Sequence, residues 1–184
     1  YLGQEIHVFG NWFIIHFTEN YGMAFGLELG GSTGKFLLSL FRIAAVIGIG
    51  WYLRHLISHK RHTGLIVSFS LIFAGAIGNI IDSAFYGIIF SESNFQLAKF
   101  LPHGGGYSSF LQGRVVDMLY FPVVAGHFPS WTPLWANEEF IFFRPVFNIA
   151  DSAISIGVAS LILFQKKFFT KQEEAEIITD SISA

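Results

Sequence analysis

The sequence predicts an all-α polytopic membrane protein: one domain, built as a helical bundle of three spans with a few short strands on its outer side. Two observations carry this prediction. The 184 residues are 52% hydrophobic and only 13% charged, whereas soluble domains carry roughly 25% charged residues. Three apolar stretches are also long enough to cross a hydrocarbon core of about 30 Å. Too little charge is left to cover a soluble surface.

The predicted spans cover residues 36–56, 65–90 and 146–165. The apolar run of the first span is interrupted by Arg42, which we expect to snorkel toward the headgroups or to contact a lipid phosphate. The third span contains a single charged residue, Asp151. Each stretch reaches the length of roughly 20 residues that a membrane-crossing helix requires.

The distribution of Lys and Arg predicts the orientation. The turn from Arg54 to His62 and the tail 166–184 together hold six of the eleven basic residues. Short basic segments stay on the cytoplasmic side of a membrane, so the turn and the tail are both expected there. The segment 1–35 and the loop 91–144 then face outward.

The two outward segments differ in residue composition and pattern. Apolar residues alternate along 5–18, and glycines follow at short intervals, which predicts a small set of strands lying on the membrane. The loop 91–144 contains four of the five prolines and the run 104–106 of three glycines, which we interpret as a turn rather than a hinge. The tail 166–184 is expected to be a solvated helix or disordered.

Two aspartates are the main candidates for chemistry. Asp117 ends the apolar sequence Val115-Val116-Asp117, and Asp151 lies three residues after Asn148 at the outer end of the third span. Carboxylates beside or inside a bilayer are costly and are functional candidates for that reason. Two that meet can share a proton and activate a water molecule. Pro145 is expected to precede this helix, whose dipole favours a negative charge near its start.

Three further polar groups are candidates for support. Asn79 and Asp82 follow Gly78 near the outer end of the second span, with the amide and the carboxylate three residues apart. An amide can donate a hydrogen bond to a carboxylate and fix its rotamer. We favour a role for Asp82 in holding the second and third spans together over direct catalysis. Arg114 is a candidate counter-ion for Asp117.

Other reaction classes find little support. The chain has no Cys, which excludes thiol nucleophiles, disulfides and Cys-ligated metals. Neither a Gly-x-Ser-x-Gly elbow nor a phosphate-binding loop occurs, and no basic stripe suggests nucleic acid. His55, His59 and His62 lie in the basic turn, so solvated side chains are a better interpretation than a metal site. We expect no metal and no cofactor.

A non-enzymatic alternative uses the same carboxylates. A small proton-relay or transport protein, or an accessory subunit, would pass protons between Asp82 and Asp151. Such a relay requires a polar path to the cytoplasmic side. The third span is nearly all apolar beyond Ser155 and Ser160, which argues against a continuous path.

Four short blocks together give a resemblance. They are Asn20-Tyr21-Gly22-Met23-Ala24-Phe25-Gly26, Gly78-Asn79-Ile80-Ile81-Asp82, Val115-Val116-Asp117, and Phe147-Asn148-Ile149-Ala150-Asp151-Ser152-Ala153. In this order and at these depths in the membrane, they resemble the lipoprotein signal peptidases, also called signal peptidase II. Each block alone is weak, but the four together are specific and cover roughly residues 10–165.

The resemblance implies a bacterial inner-membrane aspartic endopeptidase whose active site lies at the outer leaflet. It would remove the signal peptide from diacylglyceryl-modified prolipoproteins, cutting just before the lipidated cysteine. Asp117 and Asp151 match the catalytic dyad. Substrate-contacting or supporting positions are matched by Asn20, Gly22, Asn79, Asp82 and Asn148. Gly78 and Arg114 are further candidates for substrate binding or support. The implied partners are the lipidated precursor, membrane lipids and cyclic-peptide inhibitors of the family such as globomycin.

The chain departs from the family pattern in three ways. The family has four transmembrane helices and a small outward β-cradle, so its first helix is expected to precede Tyr1. Ser83 stands where an Arg is expected, and Arg114 is one candidate replacement. The stretches 83–114 and 118–146 are longer than in the family, which predicts an enlarged outer loop or lid.

Overall fold

The computed structural model describes residues 1–21, 31–131, 133, 137–142 and 145–183. The elements of the described chain follow in the order β1 (Glu5–Phe9), β2 (Phe13–Asn20), α1 (Gly31–Ser58), α2 (Thr63–Ile89), β3 (Val115–Tyr120), β4 (Val124–His127), β5 (Glu139–Phe142), β6 (Val146–Phe147) and α3 (Ile149–Ser183).

Within the described residues, three helices are long and apolar enough to cross a membrane. The qualifying segments are Thr33–Ser58, Thr63–Ile89 and Ile149–Phe169. A helix of this length spans about 30 to 40 Å at 1.5 Å per residue, which is enough for a hydrocarbon core of about 30 Å. The prediction of three helices that are long and apolar enough to cross a membrane is therefore confirmed.

Small residues bring α2 and α3 close together. A Cβ atom on Gly157 of α3 would lie 2.6 Å from the carbonyl oxygen of Ser68, and one on Gly75 of α2 would collide with the carbonyl oxygen of Ala150. Helices approach this closely in membranes where glycines line their interface, because dispersion contacts and not apolar burial drive their association. The result fixes the start of α3 against the middle of α2.

A four-stranded antiparallel sheet, in the order β1-β2-β3-β6, lies at the end of the bundle where α2 stops and α3 starts. The strands expected within 5–18 are β1 and β2, and the small antiparallel sheet is confirmed. In the register of β2 with β3, Thr18 pairs with Asp117 and Asn20 pairs with Val115. The strands β4 and β5 pair only with each other among the described strands.

The start of the third helix differs from the prediction. The sequence predicted a span from 146 directly after Pro145, but Val146 and Phe147 form β6, which pairs with β3. The helix begins at Ile149, so Pro145 precedes a strand and not the first helical turn. Pairing with Leu119 and Tyr120 holds these two residues extended. The helix α3 continues beyond the apolar segment to Ser183.

The segment 90–114, here called the α2–β3 loop, folds back along the end of α2. Backbone N–H groups of the loop donate to carbonyls of the helix end: Gly113 to Ser83 at 2.8 Å, Ser108 to Gly87 at 2.8 Å, and Leu101 to Ile89 at 2.8 Å. The three glycines at 104–106 lie at a turn, in which Gly105 donates to Pro102 at 2.9 Å. The loop therefore sits at the level of the last turns of α2.

Candidate active site

Three elements bring the predicted carboxylates to one end of the bundle. Asp117 lies in the middle of β3 with only 3% of its surface exposed. Asp151 lies in the first turn of α3, and Asp82 lies near the end of α2. Because β6 pairs with β3 and leads straight into α3, the sheet places the start of that helix beside Asp117.

Asn148, between β6 and α3, contacts both members of the predicted pair. Its side-chain Oδ1 accepts a hydrogen bond from the backbone N–H of Asp151 at 2.8 Å, and its own backbone N–H donates to Asp151 Oδ2 at 3.4 Å. This reciprocal arrangement is a capping box, which satisfies two donors at a helix start. The Asn148 side-chain Nδ2 also donates to Asp117 Oδ1 at 2.8 Å. One residue thus holds both carboxylates.

The environment of Asp117 disfavours its ionised form. Burial raises the pKa of Asp117 to about 6, and the nearby charge of Asp151 adds to the increase. Hydrogen bonds from Asn20 to Oδ2, at 3.2 Å, and from Asn148 to Oδ1 act in the opposite direction because both donate to the carboxylate. A buried carboxyl with two amide donors and a carboxylate neighbour is suited to hold a proton near neutral pH.

Asn79 links α2 to the same network. Its Nδ2 donates to Asp151 Oδ1 at 2.9 Å, and its Oδ1 accepts from Asn148 Nδ2 at 3.1 Å. Asn79 and Asn148 are both buried. The predicted partnership of an amide with a carboxylate therefore joins α2 to α3, because Asn79 contacts Asp151 and not its own neighbour Asp82.

Asp82 has a different contact. Its Oδ2 accepts from the backbone N–H of Val116 at 3.5 Å, which ties the end of α2 to β3 one residue before Asp117. Gly78, from the same block, faces the Cβ atom of Ala150 across the helix interface. Both contacts hold elements of the site together.

Comparisons with known proteins identify the family of this chain. The family model described as signal peptidase (SPase) II matches residues 1–167. The chain belongs to the signal peptidase II family. A lipoprotein signal peptidase of Porphyromonas gingivalis is 56% identical over 163 residues, which are 88% of this chain and 70% of that protein. Another, from Amoebophilus asiaticus, is 39% identical over 98% of this chain and 73% of its own length.

Solved structures support the fold. A bacterial membrane enzyme determined by the in meso method has a TM-score of 0.52 and 23% identity, over 93% of this chain and 76% of that one. Signal peptidase II enzymes are aspartic proteases of bacterial membranes, so the chain is a membrane protease and not a relay or accessory subunit. The predicted family, class of enzyme and lipoprotein-processing activity are confirmed.

The first block of the signal peptidase II pattern is described only at its start. Asn20 ends β2 and reaches Asp117, whereas Gly22 and the residues up to 30 lie outside the described part of the chain. The predicted role of Gly22 stays a prediction.

Arg114 does not act as the expected counter-ion of Asp117. Its Nη1 donates to Glu19 Oε2 at 2.6 Å and to Glu92 Oε2 at 2.9 Å, and Nη2 donates to Glu92 Oε1 at 3.0 Å. Burial alone would lower the pKa of Arg114, but hydrogen bonds to the two glutamates outweigh burial and raise it. The guanidinium also lies over the rings of Tyr21 and Tyr107.

The Arg114 cluster, made of Arg114, Glu19 and Glu92, connects β2 to both ends of the α2–β3 loop. Glu19 belongs to β2 beside Asn20, and Glu92 belongs to the α2–β3 loop. Alternate residues of a strand point to opposite faces. The ion pair of Glu19 with Arg114 therefore joins β2 to the residue before β3 on one face, while Asn20 meets Asp117 on the other. One signal could have pointed to Glu19, namely a charged residue next to Asn20 in a largely apolar strand.

Arg42 lies on α1 and is partly buried. Its expected contact with the headgroups or with a lipid phosphate stays a prediction.

Proposed function

We propose that Asp117 and Asp151 are the catalytic pair with which this chain removes signal peptides from prolipoproteins. The observation that supports this assignment best is that Asn148 contacts both residues. Its Nδ2 donates to Asp117 Oδ1 at 2.8 Å, and its Oδ1 accepts from the backbone N–H of Asp151 at 2.8 Å, which caps the start of α3. Asn20, Asn79 and Asp82 act as supports, and Arg114 acts through the sheet rather than on the substrate.

The two carboxyls share one proton in the resting site. Asp117, with a pKa raised by burial to about 6, is the better holder of that proton. Asp151 lies at a helix N-terminus and accepts from Asn79, and both features favour negative charge.

The reaction uses the ionised form of Asp151 and the protonated form of Asp117. Ionised Asp151 takes a proton from water, and the water oxygen attacks the scissile carbonyl carbon while Asp117 donates its proton to the carbonyl oxygen. The resulting tetrahedral intermediate breaks at the C–N bond, and Asp151 gives its proton to the leaving amine. Asp117 recovers its proton from a hydroxyl of the intermediate as the new carboxyl group forms. No metal or other cofactor enters any step.

The substrate we propose is a prolipoprotein whose cysteine already carries diacylglycerol, cut just before that cysteine. Each buried methylene contributes about 0.8 kcal/mol, so two acyl chains hold the cleavage site at the depth of the pair. The basic turn at 54–62 and the Lys residues after 165 support a site at the outer leaflet of the bacterial inner membrane. The outer region 91–144 then acts as a lid, and cyclic peptides such as globomycin compete for the site.

The pair is tested by replacing Asp117→Asn and Asp151→Asn and measuring cleavage of a lipidated precursor in bilayers. Each change keeps the shape of the side chain and removes one proton-transfer group, so cleavage falls to background. Glu5→Gln is the matched control, because Glu5 is an exposed carboxylate of β1 and should leave the rate unchanged. Turnover near the unmodified rate in either Asp variant would reject the pair.

The lipid requirement is tested separately. Unlipidated precursor should be cleaved far more slowly than the lipidated form at the same protein concentration. The difference should appear in KM, because the acyl chains act on binding and not on the reacting bond. Equal kcat/KM for the two precursors would contradict the proposed substrate and leave the catalytic pair intact.

A further inference from the structure

The α2–β3 loop exposes an apolar surface that the catalytic pair does not use. Phe95 is fully exposed at 103% relative accessibility, and Leu97, Phe100, Leu101 and Phe110 are each more than half exposed. Between residues 94 and 113 the sequence has one charged side chain, Lys99, and no acidic residue. Proteins surrounded by water rarely expose so many large apolar groups in one short segment, so this surface has an apolar partner.

The loop is continuous with the lipid-facing surface of α2. Phe110 packs edge-to-face against Phe85 of α2, with ring centroids 6.0 Å apart, and Phe85 is itself exposed on the outside of the bundle. Phe100 forms a β-bridge with Phe90, directly after the helix, and their rings lie 5.7 Å apart. The apolar groups of the loop thus extend the exposed apolar surface of the helix sideways.

Backbone contacts fix the depth of the loop. Its N–H groups donate to carbonyls of residues 83–90, which form the last two turns of α2 and the residue just after it. From Thr63, after the basic turn, roughly 20 residues cross the hydrocarbon core, which therefore ends near the level of Asp82. The loop lies at the level just beyond, which is the interfacial layer where headgroups meet acyl chains.

We propose that the α2–β3 loop is a membrane-docking element, which inserts Phe95, Leu97, Phe100 and Leu101 into the interfacial layer of the leaflet nearest the catalytic pair. The occupant of this surface is lipid. Lys99 lies among these apolar residues, where its amine can reach phosphate groups while its stem stays among apolar atoms. The inference rests on the membrane setting of the family and not on the roles assigned to Asp117 and Asp151.

Docking gives the loop a function in the reaction. The loop carries Glu92, which pairs with Arg114 three residues before Asp117. A loop held in the interface keeps that ion pair, and the strand it anchors, at a constant depth relative to the acyl chains of the substrate.

The test uses the absence of Cys from the chain, because each introduced thiol is then the only one. Phe95→Cys and Leu97→Cys are labelled with a nitroxide in the full chain, reconstituted into vesicles of phosphatidylglycerol and phosphatidylethanolamine. Collisions with oxygen, which concentrates in lipid, are compared with collisions with a water-soluble nickel chelate. Trp51→Cys on the exposed side of α1 is the lipid reference, and His59→Cys in the basic turn is the water reference. Cleavage by each labelled variant reports that it is folded.

Labels at 95 and 97 are expected to collide with oxygen more than with the nickel chelate, as the label at 51 does. Their ratio of the two collision rates should be closer to that at 51 than is the ratio for a label at Asn94→Cys, because the Asn94 side chain turns toward Glu92. Accessibility equal to that at 59 would overturn the proposal. Two other results would do so as well. Dipolar broadening between labels would indicate a second copy on this surface, and shielding that appears only with precursor present would indicate the substrate.

Discussion

Replacing Asn148 separates its two functions. In Asn148→Ser the hydroxyl oxygen can still accept from the Asp151 N–H and cap α3, but the donor to Asp117 Oδ1 is lost. In Asn148→Ala both contacts are lost. The serine variant therefore isolates the contribution of the amide to the proposed catalytic pair, and the alanine variant adds the loss of the cap.

The magnitudes follow from these contacts. A hydrogen bond to a charged group contributes about 1.5 to 3 kcal/mol, which corresponds to about a 10- to 100-fold loss of kcat/KM if it is fully expressed in the transition state. The Asn148 amide favours ionised Asp117, so its removal raises the pKa of Asp117 further above about 6. In the proposed reaction Asp117 must be protonated to act as the acid, so the alkaline limb of the pH–rate profile should move up by about 1 to 2 pH units.

The assay is cleavage of a lipidated precursor in bilayers from pH 5 to pH 9, with stability measured in parallel. Asn148→Ala should show the same shift in the alkaline limb and a further loss of about 1 kcal/mol in stability from the missing cap. A serine variant with an unshifted profile and an unchanged rate would refute the role of Asn148. A downward shift would refute the assignment of Asp117 as the proton holder.

Two further predictions test the contacts around the proposed pair. Gly75→Ala should abolish most activity and lower stability, because the added methyl group collides with the Ala150 carbonyl and displaces the start of α3. Gly48→Ala is the control, because its methyl group meets no atom within 4 Å, and it should behave as the unmodified chain in the same cleavage and unfolding assays. Arg114→Lys should lower kcat more than it raises KM. An ammonium group cannot reproduce the two parallel hydrogen bonds to Glu92 or the stacking on the rings of Tyr21 and Tyr107. An unchanged kcat would show that the Arg114 cluster does not position the site.

The helices and the two candidate carboxylates were predictable because their signals are local. Apolar stretches of sufficient length predict membrane-crossing helices without knowledge of their neighbours. Asp117 and Asp151 were identifiable as candidates because a carboxylate beside an apolar stretch is energetically costly and is therefore a functional candidate. Both signals are read within about 20 residues of sequence.

The contacts that hold the site were not predictable because they join distant segments. The Arg114 side chain meets a partner 95 residues away in Glu19, and nothing in the spacing selects that glutamate. The two-residue strand β6 carries too few residues for an alternating pattern, so its pairing with β3 was missed and the start of α3 was placed too early. The capping box of Asn148 was hidden for the same reason, since it depends on where the helix starts.

The central claim is that Asp117 and Asp151 are electrostatically coupled and share a proton. Infrared difference titration of the protonated carboxyl C=O band measures this directly, with Asp117→Asn used to assign the band. In the unmodified chain, the Asp117 band should titrate near pH 6. In Asp151→Asn the midpoint should move to lower pH, because the negative charge that helps raise the pKa of Asp117 is gone. A midpoint that stays the same when Asp151 is neutralised would contradict the pairing on which the proposed reaction depends.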